Sequence, residues 1–269
     1  MTSRQIVCVT ASQRSGTTAL RSFISGAGAF ADLGEVFDTA IMDSEQSYFG
    51  YCRDRKVQIS DILSGPDAER LCKGFIAELS RIAHPKHLLL DVKFNSWGEI
   101  RMPWTYMHQE PFFLSQLKWH RAKFIFVWRR DLVAQILSDR VSDRIGKWHN
   151  LEAGDSIEPF ELDADKMRNR AALLCMSEKY FYNNLSTYAA SVFLCYDDLF
   201  NADGSLGSAA RSAISGLVGE PLDFPDRSAY FKNRLDHRAM VSNYPQVVAA
   251  INEAIAEHRD PVFAGAVGS

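Results

Sequence analysis

Two periods of apolar residues alternate along the chain. Ile6-Val7-Cys8-Val9 is an unbroken apolar run, and after the polar stretch Ser12-Gln13-Arg14-Ser15-Gly16-Thr17-Thr18 apolar residues return at Leu20, Phe23, Ile24 and Ala27. The first run reads as a buried strand and the second, at helical spacing, as an amphipathic helix. Residues 28–33 read as a short strand ending at Gly34-Glu35, and residues 66–84 as a helix that buries Leu71, Cys72, Phe75, Leu79 and Ile82. Residues 87–94 and 123–128 are two further strands. Val133, Ile136, Leu137, Val141 and Ile145 mark a helix entered through Arg129-Arg130-Asp131. A long helix through Ala171, Leu174, Cys175, Glu178, Tyr182 and Leu185, a strand over 192–196, and helices over 206–218 and 245–258 complete the succession.

Strands alternating with helices predict an α/β fold, a parallel β-sheet flanked by helices on both faces and joined by right-handed crossovers. Residues 36–65 mix aromatics and charges without a clean period and read as irregular structure or a short helical excursion. Residues 95–120 concentrate Trp97, Trp104, Tyr106, Phe112, Phe113 and Trp119, which suit either core packing or the lining of an acceptor pocket. Residues 148–166 read as a surface loop or lid, and 262–269 as a frayed tail. No low-complexity linker or repeat divides the 269 residues, so a single domain over 1–269 is expected.

A net charge of −3 and a pI of 6.2 argue against a surface that coats nucleic acid, so any anion site is local. The five cysteines are odd in number and lack a C-x-x-C pair. Cys8, Cys72, Cys175 and Cys195 fall in apolar periodic segments as small hydrophobes, which points to a reducing compartment. No hydrophobic leader precedes the first strand and no run approaches 18 apolar residues, which predicts a soluble, cytoplasmic protein without a transmembrane segment. His84-Pro85-Lys86-His87 is too interrupted for a helical metal pair, no zinc-like Cys/His set occurs, and no serine sits in a G-x-S-x-G elbow. A metalloenzyme or hydrolase reading fails on spacing.

The candidate chemistry begins at Ser12 to Thr18. This loop lies at a helix N-terminus, where first-turn N–H groups lack intrahelical partners and the macrodipole favours an anion. Arg14 adds a forked cation, Gly16 permits close backbone approach, and the hydroxyls of Ser15, Thr17 and Thr18 can donate to phosphate oxygens. An ordinary capped helix start accounts for the serines and threonines but gives Arg14 and Gly16 no role. Against the Walker pattern G-x-x-x-x-G-K-[ST], Ala11 replaces the first glycine and Thr17 the lysine. A nucleotide whose 5′-phosphate carries a transferable group fits better than a triphosphate.

The strand leading into Gln13-Arg14-Ser15-Gly16-Thr17-Thr18, with Arg130-Asp131 and Ser138 after a later strand, resembles the sulfotransferases that use 3′-phosphoadenosine 5′-phosphosulfate. Gly34-Glu35-Val36-Phe37 and Arg129-Arg130-Asp131-Leu132-Val133-Ala134-Gln135 narrow the likeness to the bacterial trehalose 2-sulfotransferase-like group. The resemblance implies a P-loop nucleotide-kinase-like sulfotransferase fold, no metal, and a homodimer. It also implies that Arg14 to Thr18 hold the 5′-phosphosulfate, that Arg130 and Ser138 hold the 3′-phosphate, and that Glu35 takes the proton of an acceptor hydroxyl on a carbohydrate or glycolipid. Cytosolic relatives stack adenine on a tryptophan that is Ala19 here, leaving Phe231 or Trp148 as candidates. Their basic glycine-rich C-terminal motif is replaced by residues 231–238, whose cations, Arg234 among them, either close over the 3′-phosphate or form a solvated face.

Sulfuryl transfer needs in-line geometry and stabilisation of charge on the leaving oxygen. Arg14 and Lys93, both expected at strand ends, are the natural cations for the bridging oxygen, although Lys93 suits a structural salt bridge equally. Glu35, with an ordinary pKa of about 4.3, needs only reach to act as a base; a surface or capping carboxylate is its alternative. A small-molecule kinase and a non-catalytic nucleotide-binding protein are the competing classes.

Overall fold

A computed structural model describes residues 4–41, 44, 46–63, 65–96, 110–146, 158–228 and 236–263. Among these residues, strands β1 (Ile6–Ala11), β2 (Phe30–Asp32), β3 (His87–Lys93), β4 (Lys123–Trp128) and β5 (Ser191–Cys195) form one parallel sheet in the order β2-β3-β1-β4-β5. The described helices are α1 (Thr17–Gly26), α2 (Tyr48–Asp54), α3 (Ile59–Leu63), α4 (Gly65–Ile82), α5 (Phe112–Trp119), α6 (Leu132–Ile145), α7 (Ala164–Ser186), α8 (Ser208–Val218), α9 (His237–Met240) and α10 (Tyr244–His258). At the carboxyl end of the central strand, Ala11 lies opposite Lys93 on one side and Val127 on the other.

Because side chains alternate along a strand, each strand feeds two cores. Val7, Val9, Leu89, Ile125 and Val127 pack against Leu20, Phe23 and Ile24 of α1 and Ala210, Ile214 and Val218 of α8. Cys8, Leu88, Leu90, Phe124 and Phe126 pack on the opposite face against Cys72, Phe75 and Leu79 of α4, Phe113 of α5, and Phe181 and Leu185 of α7. A third core joins α6, α7 and α10 through Leu137, Val141, Ala171, Val247 and Ile251.

The chain leaves β1 toward β2 by way of the α1 face, and then travels the other way across the sheet by way of the opposite face. Reversing both direction and face keeps one hand for every crossover. It also opens a crevice outside the carboxyl end of β1, where neighbouring connections part to opposite faces.

Several boundaries differ from the sequence reading. Of the two readings open for residues 36–65, the short helical one holds, as α2 and α3: Tyr48, Tyr51 and Cys52 are buried at helical spacing, though a seven-residue helix is too short for its period to stand out from flanking charges. Residues 158–166 are tied down as far as the start of α7, since Phe160 pairs with Val241 and the Leu162 N–H donates to Asn243 Oδ1; the remainder of the expected lid lies outside the described residues. Val262 and Phe263, assigned to a frayed tail, belong to a 3-10 turn, and Phe263 is buried against Phe126, Trp128 and Tyr182; residues 264–269 lie outside the description. Phe113 is core, while Trp119 is exposed; Trp97, Trp104 and Tyr106 fall outside the described residues. All five cysteines are buried and free, and burial pushes the Cys72 thiol up to about 12, which suppresses the reactive thiolate.

One buried acid shapes the α6–α7–α10 side. Glu178 of α7 is fully buried, neither carboxyl oxygen has a hydrogen bond, and the nearest cation, Arg259 Nη2, stands 3.8 Å away. Burial raises its pKa to about 8, against the smaller opposing pull of Arg259. The folded chain therefore holds a proton that the unfolded chain has released, and stability falls as pH rises through 8. Glu178→Gln keeps the shape without the titration. Thermal melts between pH 6 and pH 9 should show the wild type losing about 3 °C more than the variant; parallel melting curves would remove this assignment.

Candidate functional site

The α1-facing rows of β3, β4 and β5 converge at their carboxyl ends. The row of β3 runs Leu89, Asp91, Lys93. That of β4 runs Ile125, Val127 and, continued one step, Arg129; that of β5 runs Val192, Leu194 and, continued one step, Tyr196. The apolar period thus becomes polar where the sheet meets the loop after β1.

That loop is held in a special conformation. Arg14 and Gly16 both take left-handed backbone angles, φ 61° and 72°. Gly16 is the N-cap of α1 and has no side chain to cap it, which leaves the first-turn N–H groups available. The ordinary capped-helix alternative is therefore not what the loop does. A Cβ on Gly16 would lie 2.2 Å from the Tyr196 ring, so glycine is required by close approach as well as by angle.

Gln135 of α6 clamps the loop from beneath. It is buried, and its Nε2 donates among the Gln13 carbonyl at 2.7 Å, Ser15 Oγ at 2.9 Å and Ser12 Oγ, while the two serine hydroxyls pair at 3.1 Å. Ser15 thus helps hold the cradle. Arg129 Nη1 donates to the Arg14 carbonyl at 3.2 Å and fixes the left-handed residue from the other side.

A chain of charges runs beside it. Lys93 Nζ, nearly buried, donates to Thr17 Oγ1, lies 2.7 Å from Asp91 Oδ2 and stands 3.6 Å from Glu35 Oε1. Arg21 of α1 reaches the same Asp91 at 3.1 Å and also pairs with Asp32 at the end of β2. Glu35 follows β2 with its side chain 30% exposed; burial raises its pKa above the ordinary carboxylate value, opposed chiefly by Lys93. The sequence reading asked no large shift of Glu35, and the direction found here is upward.

The structure therefore unites Arg14, Ser15, Gly16, Thr17, Thr18, Lys93 and Glu35 at one edge. Ser138 joins them, accepting from Arg14 Nε at 3.1 Å. Arg130 faces another partner: its guanidinium forks onto Asp198, and its backbone N–H donates to Asp197 at 2.7 Å. Phe231 and Arg234, and Trp148 as a stacking candidate, lie outside the described residues. No group of His, Cys, Asp and Glu among the described residues has the arrangement of a metal site.

Sequence reasoning missed Arg129, Gln135, Tyr196, Asp91 and Arg21. The signal for Arg129 and Tyr196 was the two-residue period extended one step past each apolar run; Gln135 carried no signal, since a polar residue on an amphipathic helix reads as solvent-facing.

Arg129 is 9% exposed, lies with its Cζ 4.7 Å from the centre of the Tyr196 ring, and pairs with no carboxylate among the described residues. Burial draws Arg14 below its ordinary value, and the neighbouring Arg129 adds to this. His237 of α9 is also lowered, by burial first and then by Arg129, with a smaller push from Arg14, against Asp131 and Asp236.

No protein-family model matches the chain, and no curated protein shows significant sequence similarity to it. Among the described residues, no helix is long and apolar enough to cross a membrane.

Replacing Gln135 by Leu leaves the Gln13 carbonyl and two serine hydroxyls without their shared donor. Denaturant unfolding should show a loss of about 1–3 kcal/mol; a wild-type value would place the loop's support elsewhere.

Proposed function

We propose that the chain is a sulfotransferase of the P-loop nucleotide-kinase-like fold that moves a sulfuryl group from 3′-phosphoadenosine 5′-phosphosulfate to a hydroxyl of a carbohydrate or glycolipid. The observation that carries this reading is Lys93. Its ammonium touches Thr17 at the head of the cradle helix and stands 3.6 Å from Glu35, so one cation links an anion cradle to a candidate base.

The residues fit the donor on three counts. Uncapped first-turn N–H groups and Gly16 suit a 5′-phosphate approached by backbone. Half-buried Arg14 and nearly buried Lys93 supply positive charge in a low-dielectric setting, where it is worth more than in water. Arg130 at the β4–α6 junction can take a 3′-phosphate by exchanging its Asp198 partner.

In such a site the acceptor oxygen forms a bond to sulfur as the sulfur–oxygen bond to the 5′-phosphate breaks, and the acceptor proton passes to Glu35. Arg14 and Lys93 would stabilise the charge growing on the departing phosphate oxygen, a task that asks for positioned charge more than covalent help. Burial makes Glu35 a stronger base than a free carboxylate, while Lys93 preserves its ionised form. The Walker lysine is replaced by Thr17, and a kinase reading has no comparable observation in its favour.

Calorimetry with 3′-phosphoadenosine 5′-phosphate should show tighter binding than AMP; equal affinities would end the donor assignment. Glu35→Gln should leave the nucleotide affinity little changed and lower sulfuryl transfer, measured with labelled donor and a mixed carbohydrate acceptor pool, by about 100-fold or more. A variant that turns over at the wild-type rate would remove Glu35 as the base.

A further inference from the structure

Arg129 braces the Arg14 carbonyl, but one carbonyl bond does not account for a cation buried to this degree. A guanidinium nine-tenths buried normally has a carboxylate beside it, because an unpaired buried charge is costly. Here its described partners are a backbone carbonyl and the face of Tyr196, and its Nε has no hydrogen bond. The nearby carboxylates have other partners: Asp139 is held through Oδ2 by Arg140 and Arg170 and also acts on Arg14, Asp197 accepts from the Arg130 N–H, and Asp198 holds the Arg130 fork. Asp131 caps α6 by accepting from the Ala134 N–H at 2.8 Å.

Two basic groups stand beside Arg129 among these paired acids. Arg14 adjoins it through the carbonyl contact, and its own guanidinium points toward Ser138 of α6. His237 lies on α9, which packs on α6, and its Nε2 is buried without a hydrogen-bond partner. Arg129 and Arg14 thus meet beside the uncapped start of α1, and His237 stands on the helix packed against α6.

We propose that Arg129, with Arg14 and His237, forms a pocket for one tetrahedral oxyanion, with Arg129 as its principal cation. The anion replaces the missing carboxylate, and the cost of keeping Arg129 buried is recovered only when it binds. The pocket is separate from the Arg130 fork, one residue along the chain, whose guanidinium is turned to the β5 side. It rests on the sulfotransferase reading only for the identity of the nucleotide that brings the anion.

His237 gives the pocket a pH response. Arg129 and Arg14 oppose its protonation, while Asp131 at the β4–α6 junction and its own neighbour Asp236 favour it. A bound oxyanion adds to the favourable side, so binding takes up a proton and strengthens as pH falls from 8 to 6.

The test is thermal unfolding with sodium sulfate against sodium chloride at equal ionic strength, for wild type, Arg129→Met, Arg129→Lys and His237→Gln. General salting effects raise all four alike; the specific gain is expected to be largest in the wild type, smaller in Arg129→Lys and absent in Arg129→Met. Without sulfate, Arg129→Met should melt close to the wild-type temperature, since the lost bond to the Arg14 carbonyl is offset by removal of a buried charge without a carboxylate partner. A full sulfate gain in Arg129→Met, or a melting temperature several degrees below wild type without sulfate, would overturn the proposal. The wild-type gain should be greater at pH 6 than at pH 8, and flat in His237→Gln; an unchanged pH response in that variant would remove His237 from the pocket.

In calorimetry, Arg129→Met should weaken 3′-phosphoadenosine 5′-phosphate by about 30-fold or more. Sulfate protection that depends on Arg129, together with no preference for this nucleotide over AMP, would keep the pocket and end the donor reading. The reverse result, a nucleotide preference untouched by Arg129→Met, would end the pocket alone.

Discussion

Asp91 is a fully buried carboxylate in the middle of a parallel sheet, and the geometry of the site follows from how its charge is met. Arg21 approaches it from α1 and Lys93 from two residues further along β3, so one anion holds a helix and a strand end together. Each cation then carries a second contact outward: Arg21 to Asp32 at the end of β2, Lys93 to Thr17 and toward Glu35. Removing one member of such a set leaves uncompensated charge in the interior, which costs about 3–5 kcal/mol. The network is therefore weak evidence for extra stability and strong evidence for fixed position. It sets the start of α1 and the carboxylate after β2 at a defined separation, although those elements come from opposite ends of a crossover.

The period of two explains why much of this was legible. Strands β1, β3 and β4 are long apolar runs, and the sequence places Lys93 at a carboxyl end because the run stops there. Glu35 was legible for the same reason, as the acidic residue just beyond a short strand and its glycine. What the pattern could not supply was partner choice. Arg129 and Arg130 are adjacent cations at a strand end, and the likeness to a known family favours the second. Alternation puts Arg129 on the Ile125–Val127 row, toward Arg14, and leaves Arg130 to reach Asp198. Pairings across more than a hundred residues, such as Arg14 with Ser138 or Gln135 with Ser12, depend on the strand order that lays β4 beside β1. Local spacing carries no trace of that order.

The loop itself shows why support matters as much as sequence. A non-glycine residue in the left-handed region costs about 1–2 kcal/mol, and Arg14 is held there by two neighbours in the chain fold. Gln135 bonds the carbonyl before it and Arg129 bonds its own carbonyl. Both supports come from the β4–α6 connection, so the cradle is shaped by the same segment that brings the additional cations. Tyr196, from the end of β5, covers Gly16 and lies beneath Arg129. Two neighbouring strand ends thus act on one loop, which makes its conformation a property of the sheet edge and not of the loop sequence alone.

Two glutamates raised by burial show how degree of exposure decides role. Glu35 keeps part of its side chain in solvent and has Lys93 at 3.6 Å, so its proton is held a little more firmly than in water and can still be exchanged. Glu178 has neither solvent nor a hydrogen bond, and at about 8 its pKa keeps it neutral near pH 7. That neutrality has a structural use. Arg259 beside it directs Nη1 to the Arg130 carbonyl at 2.6 Å and Nη2 to the Arg129 carbonyl, bracing the turn that delivers both arginines. An ionised Glu178 would compete for that guanidinium with a full charge, whereas a protonated one leaves it to the two carbonyls. Glu178 and the turn that carries Arg129 and Arg130 are thus linked through a single arginine.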